Sequence, residues 1–356
     1  MKNENNYLTH GIHPYHAKFI PDIPKEFLMK YTEKNNLILD PFCGSGTTLL
    51  ECMLNERRSV GVDMNEIAYR ITLAKTFVPD IKKLQLYFND LMAEFDECNS
   101  YIKTQFPDKD IWYSKESSET LDKLLFLINK IDDALYKNIF LVIFSSIVKT
   151  VSNKRETWNN GYIADNILPN KEYKGNSLDV FVKRCNEAIK SYEELLNKKI
   201  NKKYYPLVYN NDINKYSTRK KFDAIITSPP YPFAVDFVKY NRLSFYWLGL
   251  DVESSAEKET GARTKRSRKN AKYDFFIEMK QIYLHLFSMV KNGGYFCMTV
   301  ANTKRKNETV DFVEWLDSIF LENGWVNVQK DIRKLQNQSM AQKRISEEIK
   351  LVYRKK

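Results

Sequence analysis

Residues 227–231 read Thr-Ser-Pro-Pro-Tyr and follow an apolar run, Ala224, Ile225 and Ile226, that has the pattern of a buried strand. Pro229 and Pro230 fix two φ angles and remove two N–H donors, so no sheet ladder continues through them. The result is a stiff corner at the C-terminal end of a strand, with the Ser228 hydroxyl before it and the Tyr231 ring after it. A second stretch, "LDPFCGSGTTLLE" (39–51), lies between another apolar run and helix-like text. Gly44 and Gly46 allow a tight turn and close backbone approach to a ligand, and the helix that follows supplies free N–H donors.

Two acids flank that turn. Asp63 ends the next apolar run, 17 residues after Gly46, where doubly wound folds place a carboxylate on ribose hydroxyls. A dinucleotide fold would prefer a third glycine near position 49, which here is Leu49, and the Gly-Lys-Ser/Thr of a phosphate-binding loop is absent. Asp40 stands directly before the turn, ill suited to a pyrophosphate and well suited to an ammonium group. A ribose-bearing cofactor with a cationic end fits both acids, and S-adenosylmethionine is such a cofactor.

These residues need strands to hold them. Four apolar runs read as a buried parallel sheet: 37–41, 59–63, 205–210 and 222–228. Helical text follows the first two (47–56 and 66–77), which implies right-handed βαβ units and an α/β, doubly wound, Rossmann-like sheet. A closing strand pair is expected at 293–301 and 347–355, after an amphipathic helix over 274–291. Residues 80–204 are too long for a crossover and carry i, i+3, i+4 periodicity, so they read as an inserted helical subdomain. The expected layout is a sheet domain built from 1–79 and 205–356, with 80–204 inserted and available for target recognition.

Composition narrows the partners. With 56 Lys+Arg against 45 Asp+Glu, the net charge of +11 suits a polyanion or a Lys-rich solvated surface. The five cysteines (43, 52, 98, 185, 297) form no CxxC pair and no zinc-spaced cluster, so no metal is expected and the thiols read as reduced, in a cytoplasmic protein. The N-terminal text lacks a signal-peptide apolar stretch, and the most apolar run, 139–148, is too short to span a bilayer, so no membrane partner is expected.

The two motifs resemble those of the DNA amino-methyltransferases, which methylate adenine N6 or cytosine N4. "DPFCGSGTT" is similar to their cofactor loop, "TSPPY" to their catalytic corner, and "HPYHAKFIP" (13–21) to a segment that closes over the methionine end. The resemblance implies cofactor roles for Asp40, Phe42, Gly44, Ser45, Gly46 and Thr47, ribose binding by Asp63 and adenine binding by Asp212, with Lys18 and Phe19 nearby. It also implies a catalytic corner of Ser228, Pro229, Pro230 and Tyr231. An exocyclic amino nitrogen is a poor nucleophile because its lone pair is delocalised into the ring. Acceptors on its hydrogens, the Ser228 side chain and the Pro229 carbonyl, would make it more tetrahedral, and Tyr231 would stack on a flipped base. Carbon-5 methylation would need a cysteine at the corner, and none is there.

Six Lys/Arg fall within 263–272: Arg263, Lys265, Arg266, Arg268, Lys269 and Lys272. With Lys304, Arg305 and Lys306 they are expected to contact phosphates of double-stranded DNA. Among members of the resembled family, Ser before Pro-Pro-Tyr is commoner in cytosine-N4 enzymes and Asp or Asn in adenine-N6 enzymes, so the resemblance favours cytosine N4. The expected setting is a bacterial restriction–modification system whose endonuclease is a separate chain. Methylation of RNA or of a protein amide, and a non-catalytic nucleic-acid-binding role, are the competing readings.

Overall fold

Strands and helices alternate early in the chain because apolar runs of 4 and 6 residues end in Asp and give way to helical periodicity. The computed structural model describes residues 6–154, 169–305, 308–334, 345 and 347–356. In chain order the elements begin with helix α1 (Asp22–Tyr31), strand β1 (Leu37–Asp40), α2 (Thr47–Leu54), β2 (Arg58–Asp63) and α3 (Glu66–Thr76). Then come α4 (Ile81–Glu97), α5 (Lys109–Trp112), α6 (Lys115–Asn129), α7 (Ala134–Val148) and α8 (Ser177–Leu196). Strands β3 (Leu207–Asn210) and β4 (Phe222–Thr227) lead to short helices α9 (Phe237–Tyr240), α10 (Arg242–Trp247) and α11 (Val252–Lys258). Next are α12 (Ala271–Met289), β5 (Val290–Val300), the β6 (Thr303–Arg305) and β7 (Glu308–Val310) pair, α13 (Phe312–Glu322), β8 (Trp325–Lys334) and β9 (Glu347–Lys355).

Two compact units result. The first comprises Ala17–Thr72, Ile200–Phe237 and Ser255–Lys356 and carries the sheet. Its strand order is β3-β2-β1-β4-β5-β9-β8. The first five strands in that order pair in parallel, and β9 runs antiparallel to both β5 and β8. Period-2 alternation sends successive residues to opposite faces, and both faces are buried. Leu39, Ile225 and Phe296 join a cluster with α12 and α13, while Ile38, Ala224, Ile226 and Cys297 pack with Ile23, Phe27 and Leu28 of α1. Gly61 in β2 is required by this packing: a Cβ there would lie 2.6 Å from Leu49 Cδ2, so Leu49 takes the space the strand leaves.

The second unit comprises the segment ending at His16, Leu73–Lys199 and Val238–Ser254. Its helices start where short polar side chains accept backbone N–H groups: Asp80 for α4, Ser114 for α6, Asp133 for α7 and Asn176 for α8. Helix α7 is buried almost all round, which explains its apolar sequence without a membrane. No helix among the described residues is long and apolar enough to cross a bilayer. The Lys109–Asp122 pair, 2.8 Å apart and nearly fully buried, fastens α5 to α6 beside the Trp247 ring.

Several expectations are corrected. The helical unit draws on three stretches rather than 80–204 alone, because the apolar text of 238–254 and the residues before Ala17 pack with it. Strand β3 is an exposed sheet edge and not a buried strand. Strand β8 escapes a search for apolar runs because it too is an edge, with polar side chains at most positions. Helix α12 begins at Ala271, three residues earlier than its amphipathic text suggests.

Candidate active site

Strand β1 pairs with β2 on one side and β4 on the other, so the chain reverses direction of winding at the β1–β4 junction. The carboxyl ends of strands at such a switch point form a crevice. Asp40 ends β1 and Thr227 ends β4, and the Thr227 hydroxyl donates to Asp40 Oδ1 at 2.7 Å. That bond joins the glycine turn to the proline corner. Sequence reading missed Thr227, although its place before Ser228 and the expected pairing of neighbouring strands were available signals.

The turn after β1 is stitched to the end of β2. The Cys43 N–H donates to the Val62 carbonyl at 3.1 Å, and the Gly44 N–H to Asp63 Oδ2 at 2.8 Å. Asp63 Oδ1 accepts from the Asn65 N–H at 2.9 Å. From α3, the Thr72 hydroxyl donates to the Gly44 carbonyl at 2.8 Å. Gly46 has φ +74°, and a Cβ there would meet Thr72 at 2.8 Å, so both the conformation and the space demand glycine. Helix α2 then opens at Thr47, whose buried hydroxyl has no hydrogen-bond partner.

Asp40 is 3% exposed. Burial pushes its carboxyl up to about 6, against the lowering effect of bonds from Thr227 and the Phe42 N–H. Burial likewise raises Asp63 to about 6, against the bonds from Asn65 and Gly44. Two acids that are costly to ionise beside a helix start are a setting prepared for a cation and for hydroxyl donors. Cys43 lies in the same turn, but burial pushes its thiol well up, so it offers no thiolate.

At the corner, Pro229 is buried while Ser228, Pro230 and Tyr231 are half-buried. The Tyr231 hydroxyl lies 3.4 Å from Thr299 Oγ1 on β5 and 3.3 Å from Glu348 Oε1 on β9. Burial and the nearby Glu348 carboxylate raise the phenol, which stays protonated. Neither Thr299 nor Glu348 is legible from the motif: the parallel β4–β5 pairing sets Thr299 beside the corner, and the antiparallel β5–β9 pairing adds the strand that carries Glu348.

The remaining expected residues are dispersed around this centre. Asp212 follows β3, half-buried, and accepts the Asn214 N–H at 2.9 Å. Phe42 packs at the edge of the large cluster and Ser45 is buried in the turn. Lys18 is half-buried, its pKa lowered by burial, and Phe19 packs against the cluster under α1. Within the basic run, Arg263–Ser267 form one helical turn. Lys265 donates to the Glu257 carbonyl at 2.5 Å, Arg268 pairs with Glu257 at 2.6 Å and Lys272 pairs with Glu308. Lys269 is exposed, and Arg266 sits half-buried on the same turn. Lys304 lies on β6 beside Thr303, whose hydroxyl donates to the Pro232 carbonyl at 2.7 Å. Arg305 also lies on β6, while Lys306 is outside the described residues.

S-adenosylmethionine can be tested against this donor set. Its ammonium suits the buried Asp40, its ribose hydroxyls suit Asp63, and the unpartnered Thr47 hydroxyl at the start of α2 awaits a polar contact. The residues present fit the cofactor.

Residues 1–74 match the DNA methylase family of N6 and N4 enzymes. The chain is 28% identical over 351 residues to the Type II methyltransferase M.MvaI of Kocuria varians, covering 90% of this chain and 75% of that protein. It is 23% identical over 395 residues to the Type II methyltransferase M.MjaII of Methanocaldococcus jannaschii, covering 85% and 74%. With the Type II methyltransferase M.BsoBI of Geobacillus stearothermophilus it shares 22% over 346 residues, covering 88% and 64%. The rRNA methyltransferase aviRa from Streptomyces viridochromogenes overlaps it at a TM-score of 0.40 and 9% identity, covering 96% and 87%, too distant a likeness to bear on the site. The chain that assembles the glycine turn, its two acids and the Ser-Pro-Pro-Tyr corner at one switch point is thus similar to the DNA amino-methyltransferases, over residues 1–74 to their family model and over most of its length to Type II methyltransferases.

Proposed function

We propose that this protein is a site-specific DNA methyltransferase that methylates cytosine N4 in duplex DNA, as the cytoplasmic modification arm of a restriction–modification system with a separately encoded endonuclease. The observation that carries the reading is the 2.7 Å Thr227–Asp40 bond, which sets the Ser228 corner beside the cofactor turn. The likeness to three Type II methyltransferases supports the restriction–modification setting. Ser228 in place of an acid before Pro-Pro-Tyr supports cytosine over adenine.

Asp40 would hold the cofactor's ammonium, Asp63 its ribose and Asp212 its adenine amino group, with Phe42 and the Gly44–Thr47 backbone around it and Lys18 and Phe19 at its methionine end. The bound cofactor supplies an electrophilic methyl group. Ser228 Oγ and the Pro229 carbonyl accept the amino hydrogens of the target base, drawing its lone pair out of the ring and aiming it. Tyr231 gives the extruded base a face to stack on, worth about 1–3 kcal/mol against a flipping cost of a few. Expression in a methylation-free host, followed by modification-sensitive sequencing of its DNA, tests the reading. N4-methylcytosine at one short site is expected. N6-methyladenine there would correct the base, and unmodified DNA would refute the function.

Cofactor binding should depend on pH in a defined direction. Asp40 and Asp63 have raised folded-state values, so the stability they contribute to the free protein is present below about pH 4 and is lost as pH rises through about 6. A cationic cofactor favours their ionised forms. Binding at pH 6 should therefore release protons, and affinity should fall about tenfold from pH 7 to pH 5 for each acid that must ionise. Calorimetry in two buffers of different ionisation enthalpy measures the release; proton uptake would contradict the assignment.

Neutralising Arg263, Lys265, Arg266, Arg268, Lys269 and Lys272 should weaken DNA binding alike on all sequences. The salt dependence should flatten by up to about 0.9 log units for each phosphate the run no longer neutralises. A changed site preference with an unchanged slope would mean that this run reads bases.

A further inference from the structure

Asp236 lies five residues beyond Tyr231 and is 1% exposed. Oδ1 accepts the Thr264 N–H at 2.7 Å and the Thr264 hydroxyl at 3.0 Å, while Oδ2 is buried without a hydrogen-bond partner. A buried carboxylate with one unmet oxygen is a costly way to secure a loop, which points to a role beyond stability. Thr264 is the second residue of the helical turn in the basic run.

Other bonds join the same two segments. The Phe233 N–H donates to the Gly261 carbonyl at 2.8 Å, the Arg263 N–H to the Val235 carbonyl at 3.3 Å and the Phe237 N–H to Glu259 Oε1 at 2.6 Å. Gly261 has φ +66°, and a Cβ there would lie 2.9 Å from the Phe275 ring and 3.4 Å from the Tyr231 carbonyl. The backbone just before the basic run thus packs beside the corner, at a residue whose positive φ and closeness to Phe275 call for glycine. Charge that would meet phosphate and groups that would meet the base are parts of one hydrogen-bonded body.

We propose that Asp236 is a positioning residue that couples phosphate contact at the basic run to the geometry of the Ser228–Tyr231 corner. The inference rests on the DNA-methyltransferase reading and adds to it a requirement: the corner is fully aligned only while the run is engaged on the DNA backbone. Asp236 acts through Thr264 and touches neither base nor cofactor.

A double-mutant cycle tests it by single-turnover methyl transfer at saturating duplex. Combining Arg266→Gln with Lys269→Gln should weaken DNA affinity and also lower the saturated rate about tenfold. Asp236→Ala should lower that rate by a similar factor with cofactor affinity unchanged. Neutralisation in the Asp236→Ala background should then weaken affinity again but leave the rate where Asp236→Ala put it. Asp236→Asn, which keeps an oxygen for both Thr264 bonds, should recover most of the rate, a rescue that mere loss of stability would not give. Should Asp236→Ala fail to fold, Thr264→Val removes one of the two bonds and carries the same cycle. Multiplicative losses, or an unchanged saturated rate on neutralisation alone, would overturn the coupling. A wild-type protein that methylates no DNA would instead overturn the underlying function.

Discussion

Tyr231→Ala is expected to cut single-turnover methylation of a matched duplex by about 100-fold, because it removes the face proposed to carry an extruded base, worth about 1–3 kcal/mol. Tyr231→Phe keeps that face and should cost far less. It is not silent, however. Stacking alone would leave the hydroxyl idle, whereas the phenol lies within reach of Thr299 Oγ1 and Glu348 Oε1, at 3.4 Å and 3.3 Å. Both bonds are long, so removing them should cost about 0.5–1.5 kcal/mol, roughly 2- to 10-fold in rate. Placing the target base opposite an abasic site or a mismatch lowers the cost of flipping and should partly rescue Tyr231→Ala. Ser228→Ala should show no such rescue, since the role proposed for Ser228 is on the amino group after the base has left the stack. Matched and mismatched duplexes assayed with each variant decide the matter. Equal damage from phenylalanine and alanine would replace stacking with a hydroxyl-dependent role anchored on Glu348.

The contrast between Ser228 and Glu348 shows which parts of the site were legible in sequence. Asp40, the glycine turn, Asp63 and the proline corner each carry local chemistry: fixed φ angles, positive φ or an acid at a strand end. Their convergence follows from parallel pairing of β2, β1 and β4, which buried apolar runs announce. Thr299 reaches Tyr231 through the long-range β4–β5 pairing, and Glu348 only once β9 adds antiparallel to β5. Strand β9 itself was legible because Leu351, Val352 and Tyr353 are buried, but β8 was hidden by the polar pattern of a sheet edge. The helical unit was legible in its periodicity and not in its limits. His16 stacks on Tyr240 at 4.0 Å between centroids across 224 residues of chain, a pairing that no local pattern encodes. The basic run was visible as charge, but its tether through Asp236 was not, because a lone Asp in a loop is ordinarily a solvated one.

Asp63→Ala is expected to raise the dissociation constant of S-adenosylmethionine by about 100-fold or more, and the reason lies in how much its carboxylate already holds. Oδ2 takes the Gly44 N–H at 2.8 Å and Oδ1 the Asn65 N–H at 2.9 Å, so one side chain closes the glycine turn and holds the entry to α3. Alanine removes the charge-assisted bonds proposed for the ribose, each worth about 1.5–3 kcal/mol, and also leaves two N–H groups without their acceptor. Asp212→Ala provides the comparison. Asp212 is half-buried beyond an exposed edge strand, and its side chain accepts the N–H of Asn214 within its own turn, so its loss should cost no more than about tenfold. Asp63→Asn retains one acceptor and should fall between them. The fold should survive all three changes, since Asp63 and Asp212 lie at strand ends and outside the two apolar clusters. Titration calorimetry at pH 7 ranks the affinities. The same experiment at pH 6 supplies an independent check: a carboxyl raised to about 6 contributes to the protons released on binding, so Asp63→Ala should release fewer than wild type. Unchanged affinity together with unchanged proton release would remove Asp63 from the cofactor site.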